Sequence, residues 1–266
     1  MNRSHHTAAL KVLAVAAGLL VSFLCLYPYW WMLVSAFRTS EAILSSPLRP
    51  WPETISFDVF RDIAQIGGTP LWRYVLNSLF ITTASTVAGV FVSALGAYAL
   101  VRRPQFWLFR LLRLGFLMTI MYPYMLLVIP VYIVMFLALG PIQFFLFEQF
   151  FRGIPKSVIE AALIDGAREW QVLFMVVMPL AMPIVATATV ITFLLNWSQW
   201  LPVMVVSRSP DTFTLPVALM NISGELGVNF QGIMALSVLT TLPVTLFFLL
   251  AQRRVMTGMT AGAVKG

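Results

Sequence analysis

The chain has 266 residues, of which 60% are hydrophobic and only 10% are charged, and its mean hydropathy is +0.89. A soluble globular enzyme needs more charged residues to cover its core, so the composition excludes that class, and it also excludes a disordered protein. The single cysteine, Cys25, excludes an intrachain disulfide and with it a disulfide-rich secreted module. An all-α polytopic membrane protein remains.

Five stretches of 26 to 38 residues carry no charged side chain, and each is long enough to cross a membrane. A chain in lipid must pair its own amides, and the alternating pattern of a membrane barrel is absent, so we expect helices. The stretch from Arg113 to Glu148 is too long for one span. With its flanks it holds two, with a turn near Tyr122–Ile129. We therefore predict six transmembrane helices, at residues 12–34, 75–100, 107–125, 130–151, 184–206 and 231–252.

The basic residues indicate the orientation of these spans. If both termini are cytoplasmic, 12 basic residues lie inside and five lie outside, as the positive-inside rule requires. The net charge of +7 is then mostly a topology signal, and we expect no nucleic-acid partner. The first apolar run continues into aromatic residues at 27–31, which favours an uncleaved span over a signal peptide. Residues 35–74 become a Pro-rich outer loop with one short helix, and residues 253–266 become a cytoplasmic tail.

Residues 152–180, which we call the hairpin, lie on the predicted cytoplasmic face and do not fit a simple bundle. We expect a short helix over Lys156–Ile164 and a left-handed stop at Gly166. A second helix is expected from Ala167 to Val177, ending at Pro179. Its first helix carries an acid, Glu160, beside two small residues, so it could dock into a groove of a partner protein or rest on lipid headgroups. The physical pattern alone leaves both alternatives open.

The spacing of seven residues in the hairpin resembles the EAA signature of binding-protein-dependent ABC importer permeases. These residues are Glu160, Ala161, Ala162, Gly166, Val176, Met178 and Pro179. The resemblance implies the fold of a type I importer permease (MetI-like), a single transmembrane domain over residues 1–266. In that family the hairpin is a coupling helix that docks into a cleft of an ATPase subunit. The implied coupling residues are Glu160, Ala161, Ala162, Asp165, Gly166 and Pro179.

Other segments extend the resemblance along the chain, including Asn77–Leu79, Ala97–Leu100 and Asn196-Trp197. The C-terminal residues 261–266 resemble the ending of the carbohydrate branch, which includes the smaller permease of the maltose importer. The chain lacks a stretch that the family usually carries between the equivalents of Gly140 and Pro141. The resemblance therefore implies import of a sugar, oligosaccharide or polyol, with a non-sugar solute such as glycerol phosphate as the alternative.

The resemblance also implies the partners. They are a second homologous permease subunit, two ATPase subunits, an extracytoplasmic solute-binding protein and membrane lipid, in a bacterial cytoplasmic (inner) membrane. No Gly-x-x-x-x-Gly-Lys-Ser/Thr loop is present, so the chain is predicted to be no enzyme and to bind no cofactor or metal itself, with ATP and Mg on partner subunits. The centres of the predicted spans lack ionisable residues, which disfavours an ATPase-independent, proton-driven carrier. A membrane enzyme would need an acid–histidine cluster, and no histidine lies near the hairpin acids.

Two groups of residues are predicted to make functional contacts outside the hairpin. Amides bind sugar hydroxyls and aromatic rings stack on sugars, so we place Asn196, Trp197, Gln199 and Trp200 along the solute path. The alternative is that the tryptophans anchor the chain in the membrane and that Asn196 bonds a neighbouring helix. The resemblance further implies that the tail residues Val264, Lys265 and Gly266 contact the ATPase.

Overall fold

Long apolar stretches of the chain form the long helices of the computed structural model, which describes residues 2–121, 140–225 and 229–263. A two-residue turn joins the short antiparallel strands Gln65–Ile66 and Thr69–Pro70. The helices run over Asn2–Ser35, Ser40–Ser45, Asp58–Asp62, Leu71–Arg102, Trp107–Met121, Pro141–Arg152, Lys156–Ile164, Glu169–Gln171, Val172–Val177 (a π-helix), Met178–Leu180, Met182–Trp197, Leu201–Val206, Pro210–Thr212 (a 3-10 turn), Leu215–Glu225 and Phe230–Ala263.

Three of the helices are long and apolar enough to cross a membrane by themselves: Leu10–Ser35, Leu71–Arg102 and Phe230–Gln252. They contain the predicted first, second and sixth spans. Glu169–Leu180 and Met182–Trp197 pass the same test as a pair bent by 77°, so the described residues hold three such helices, or four if the pair is one span. The last helix continues to Ala263, so the backbone of the predicted tail is helical as far as that residue.

The predicted third and fourth spans are described only in part. Trp107–Met121 and Pro141–Arg152 are their described ends, and the turn predicted near Tyr122–Ile129 lies outside the described residues. Glu148, only 3% exposed, connects the two ends. Its Oε1 lies 3.3 Å from Nε of Arg113 and 2.8 Å from an NH2 group of Arg152. One buried carboxylate thus pairs with two arginines at the predicted inner end of these spans, and the group of three keeps one net positive charge.

The predicted fifth span, 184–206, is wrong at its C-terminal end. The helix stops at Trp197, and Leu201–Val206 forms a separate short helix. Pro202 contributes to the break, because proline has no N–H to bond a carbonyl of the preceding turn and is tolerated in the first turn of the new helix that begins at Leu201. Residues 198–200 are therefore an irregular connection within the apolar stretch.

Residues Met1–Trp72 and Ala218–Leu242 form one compact unit. The segment predicted as an outer loop holds two short helices, Ser40–Ser45 and Asp58–Asp62, where the sequence predicted one. The first begins because the Thr39 hydroxyl accepts the N–H of Ala42, as an N-cap does. The Asp58–Asp62 helix is held by burial of Val59 and Ile63, whose exposed fractions are 2% and 0%.

Residues Arg73–Val217 and Pro243–Gly266 form the other unit, which contains the hairpin. Ser78, Thr82 and Thr86 recur every fourth residue along one buried face of Leu71–Arg102, where small side chains allow close packing of other helices. Nearer the end of that helix an apolar cluster fills the interior. It includes Ala97, Tyr98, Phe144, Phe147, Phe151, Ile159, Val172, Leu173, Val177 and Ala188. Through Ile159 this cluster includes the first helix of the hairpin.

Candidate functional site

The turn of the hairpin has the geometry of a Schellman motif. Helix Lys156–Ile164 has the predicted bounds, and Gly166 adopts a φ of +86°, as the left-handed stop requires. The Ala167 N–H donates to the carbonyl of Ala162 at 3.0 Å, and the Gly166 N–H donates to that of Leu163 at 3.1 Å. A Cβ atom at Gly166 would meet no atom within 4 Å, so it is the backbone conformation that favours glycine there.

The two faces of this short helix differ in what they contact. Ile159, 7% exposed, is buried in the apolar cluster, and Ala162 packs against that cluster. Glu160, Ala161 and Asp165 are exposed, and Ile164 is 85% exposed. One face is therefore fixed to the chain, and the other presents an acid, a small residue and a large apolar residue to the surroundings. This outward mixture is suited to a protein groove.

The second limb of the hairpin differs from the prediction. It begins at Glu169 rather than Ala167, becomes a π-helix over Val172–Val177, and continues through Pro179 to Leu180. Pro179 does not end it, because the wider i→i−5 turn upstream accommodates a residue without an N–H. The chain bends sharply at Ala181, between the helices that end at Leu180 and begin at Met182. Pro179 lies two residues before this bend.

Glu169 joins the second limb to the end of helix Leu71–Arg102. Its Oε1 accepts from an NH2 group of Arg102 at 2.7 Å. Its Oε2 accepts from Nε of Arg102 at 3.3 Å and from the hydroxyl of Tyr98 at 3.2 Å. The hydrogen bond from Arg102 is the main reason that the pKa of Glu169 is lowered. The carboxylate therefore keeps its charge at neutral pH, and the contribution of this contact to stability is lost only as the pH falls through the lowered pKa.

The four residues predicted along the solute path lie around the end of helix Met182–Trp197. Asn196 donates from Nδ2 to Oγ1 of Thr86 at 3.4 Å, a contact between two apolar helices. Trp197 is 4% exposed and stacks on Phe193 with ring centroids 6.0 Å apart. Gln199 and Trp200 are partly exposed in the irregular connection that follows. The four residues therefore lie close together around this helix end, where Trp197 is buried and Asn196, Gln199 and Trp200 are each partly exposed.

The other end of helix Leu71–Arg102 is fixed to the segment that follows residue 207. Arg73 pairs with Asp211 at 2.9 Å, and the Asn77 amide donates to the carbonyls of Asp211 and Phe213. The Leu215 N–H donates to Oγ of Ser78 at 2.7 Å. These polar contacts hold the segment after residue 207 against the start of helix Leu71–Arg102.

The sequence pattern assigned no role to Arg38, Arg102 or Glu169, and Asn77 entered only as part of the Asn77–Leu79 segment. For Arg102 and Glu169 the sequence nevertheless held a signal. The available signal was their position, because Arg102 closes an apolar span and Glu169 follows the glycine turn by three residues. Their pairing could not be predicted, since the two lie 67 residues apart. Among the described residues, no group of three or more His, Cys, Asp or Glu could hold a metal ion, and the tail residues Val264, Lys265 and Gly266 lie outside them.

Long apolar helices interrupted by a polar helical hairpin define a multi-pass helical membrane protein. A family model described as "Binding-protein-dependent transport system inner membrane component" matches residues 89–260, and the chain belongs to this family. The chain is 30% identical to the trehalose transport system permease protein of Mycobacterium tuberculosis, over 99% of this chain and 98% of that protein. It is 29% identical to the diacetylchitobiose uptake system permease protein of Streptomyces coelicolor, over 90% of this chain and 92% of that protein.

The alignment with the trehalose permease runs over 284 positions, more than the 266 residues of this chain, so it opens gaps in this chain. Two solved structures have a similar fold. One is a bacterial ABC transporter involved in the import of the acidic polysaccharide alginate, with a TM-score of 0.75 and 22% identity over 95% of this chain and 98% of that chain. The other is the MetNI methionine ABC transporter, with a TM-score of 0.56 and 21% identity over 77% of this chain and 99% of that chain. The predicted fold class, an all-α polytopic membrane protein of the importer-permease type, is confirmed.

Proposed function

We propose that the chain is the permease subunit of an ATP-driven importer for a carbohydrate, and that its whole length acts as one transmembrane domain. It forms the translocation path with a second, homologous permease, while two ATPase subunits supply ATP and Mg from the cytoplasmic side. An extracytoplasmic binding protein delivers the solute. Both termini and the hairpin are cytoplasmic, and residues 35–74 are outside.

One observation carries this proposal: in a chain of this family, a short helix presents Glu160 and Ala161 outward on a left-handed glycine turn. The buried side of that helix belongs to the apolar cluster, so a push on its outer face moves it together with the helices packed there. Glu160 makes the polar contact with the ATPase, Ala161 and Ala162 allow its close approach, and Asp165 and Gly166 shape the turn. Pro179, just before the bend, belongs to the same coupling segment, and Val264, Lys265 and Gly266 add contacts from the tail.

The relatives support a carbohydrate as the solute, because their names include trehalose, diacetylchitobiose and arabinooligosaccharides. The experiment is ATP hydrolysis by the purified complex, reconstituted with its binding protein and supplied with oligosaccharides or with glycerol phosphate. Stimulation by an oligosaccharide supports the proposal. Stimulation by glycerol phosphate alone would contradict the carbohydrate assignment and leave the importer assignment standing.

Crosslinking tests the docking face directly. In a Cys25→Ser background, which removes the only native thiol, Ala161→Cys should crosslink to a co-purifying ATPase subunit because Ala161 is exposed. Ile159→Cys on the same helix is the control, since its side chain is 7% exposed and should not react. Crosslinking to lipid probes alone, with no ATPase adduct at Ala161, would favour a helix resting on the membrane.

The solute-path residues are tested by uptake. We propose that Gln199 and Trp200 touch the solute, while Asn196 and Trp197 hold the adjoining helix end in place. Trp200→Ala and Gln199→Ala should raise the KM of uptake several-fold, roughly the loss of one stacking or hydrogen-bonding contact. Trp107→Ala is the control, because its ring is 67% exposed at the start of a helix and can serve only as an anchor. Equal effects of Trp107→Ala and Trp200→Ala would argue for anchoring at both positions.

A further inference from the structure

The contact between Glu169 and helix Leu71–Arg102 uses both carboxylate oxygens and two side chains of a single helix. Tyr98 and Arg102 lie one helical turn apart, so both point to the same side of its last turns. Arg102 donates to both oxygens, at 2.7 and 3.3 Å, and Tyr98 donates to one of them at 3.2 Å. We call Tyr98, Arg102 and Glu169 the latch. Three hydrogen bonds fix the orientation of Glu169 relative to this helix.

The latch lies between the second limb of the hairpin and the end of a long apolar helix. Glu169 follows the glycine turn by three residues and starts the second limb of the hairpin. Arg102 ends the helix that extends from Leu71 through an apolar stretch long enough to span a membrane. Glu169 therefore supplies directional side-chain hydrogen bonds between the hairpin and this long helix. The apolar contacts through Ile159 also resist displacement of the hairpin but have no directional hydrogen bonds.

The strength of the latch suits a contact that is remade in a cycle. The side chains of Arg102 and Glu169 are 27% and 54% exposed, so water screens their attraction and can replace each hydrogen bond. A fully buried ion pair would hold the hairpin in one place, because its separation would leave an unpaired charge in the interior. A half-exposed pair can transmit a displacement and still exchange partners with water.

We infer that Tyr98, Arg102 and Glu169 are positioning residues through which movement of the hairpin is passed to helix Leu71–Arg102. This inference rests on the proposed function, in which an ATPase subunit drives the hairpin. The residues touch neither solute nor nucleotide. Their role is to keep the second limb and the helix end moving together.

The test uses the complete transporter with its ATPase subunits and binding protein, reconstituted in liposomes. Glu169→Gln should leave subunit assembly and basal ATP hydrolysis intact. Uptake, and the stimulation of hydrolysis by the loaded binding protein, should fall by roughly 2- to 30-fold, the range expected for broken coupling contacts. Tyr98→Phe, which removes one of the three hydrogen bonds, should give a smaller loss. Arg110→Gln also removes one charge, of the opposite sign, on a helix outside the latch and should leave uptake unchanged.

Exchanging the charges of Arg102 and Glu169 distinguishes a loss of coupling from a loss of stability. The double variant Arg102→Glu, Glu169→Arg should recover part of the uptake that each single variant loses, because the pair can form again with its polarity reversed. Loss of assembly together with uptake in Glu169→Gln, or no recovery in the exchange variant, would overturn the latch. If the wild-type chain purified without any ATPase subunit, the proposed function itself would fail. Normal wild-type uptake with a fully active Glu169→Gln would reject the latch alone.

Discussion

Gly166→Val is expected to cut uptake severely while the protein still inserts in the membrane. Gly166 has a φ of +86°, a region that costs an L-residue about 1–2 kcal/mol and costs a β-branched residue more. No atom lies within 4 Å of the added Cβ, so the expected effect comes from the backbone preference of valine. The hairpin tip should then populate other conformations, and uptake should fall roughly tenfold or more, as a penalty above about 1.4 kcal/mol implies.

Gly166→Asn is the matched control for this prediction. Asparagine tolerates the left-handed region far better than valine does, so uptake should stay near the wild-type rate. Membrane fractionation and co-purification of the ATPase measure insertion and docking separately from uptake. Equal loss of uptake in the valine and asparagine variants would show that the left-handed turn is not what transport needs. Full uptake in Gly166→Val would count against a role for the turn in coupling.

Arg38→Ala is expected to open the segment that follows the first long helix. The Arg38 guanidinium is 2% exposed and donates to the carbonyls of Ala42, Ser46 and Arg49 at 2.6, 2.7 and 3.3 Å. A hydrogen bond to a charged group contributes about 1.5–3 kcal/mol, so losing three should destabilise this segment by about 3 kcal/mol or more. In detergent, chymotrypsin should then cut at Trp51 and Phe57 about 100-fold faster, since cleavage follows the open population.

The control is Arg49→Ala in the same segment. Arg49 pairs with Glu53, but the two side chains are 50% and 65% exposed, so the pair contributes at most about 1 kcal/mol. Arg49→Ala also leaves its own carbonyl in place for Arg38. Its cleavage rate should change only a few-fold. Equal cleavage rates in the two variants would show that the buried guanidinium does not hold the segment together.

The long helices were predictable because one local rule governs them. A run of about 20 uncharged, apolar residues is unstable in water and, in lipid, must pair its own amides. The first, second and sixth spans were therefore found with errors of a few residues. The helix Lys156–Ile164 and the left-handed turn at Gly166 were also predicted correctly, since a glycine just after a helix predicts a left-handed conformation at that same residue.

Two helix ends were predicted wrongly because the effect of a proline on a helix depends on the backbone around it. Pro202 and Pro179 are equally unable to donate a hydrogen bond, yet the chain breaks before Pro202 and continues as a helix through Pro179. The difference is the π-helical turn at Val172–Val177, which widens the backbone ahead of Pro179. Packing selects that turn, because Val172, Leu173 and Val177 all lie in the apolar cluster.

The sequence by itself determined the membrane class, most of the helices, the family resemblance and the signature residues of the hairpin, since each depends on residues close together in the chain. Only the tertiary structure decided which charges meet. Arg102 selects Glu169, Glu148 holds Arg113 and Arg152, and Arg38 faces carbonyls instead of an acid. The physical reason is that such contacts depend on how helices distant in sequence pack side by side. A charge pattern alone does not contain that packing.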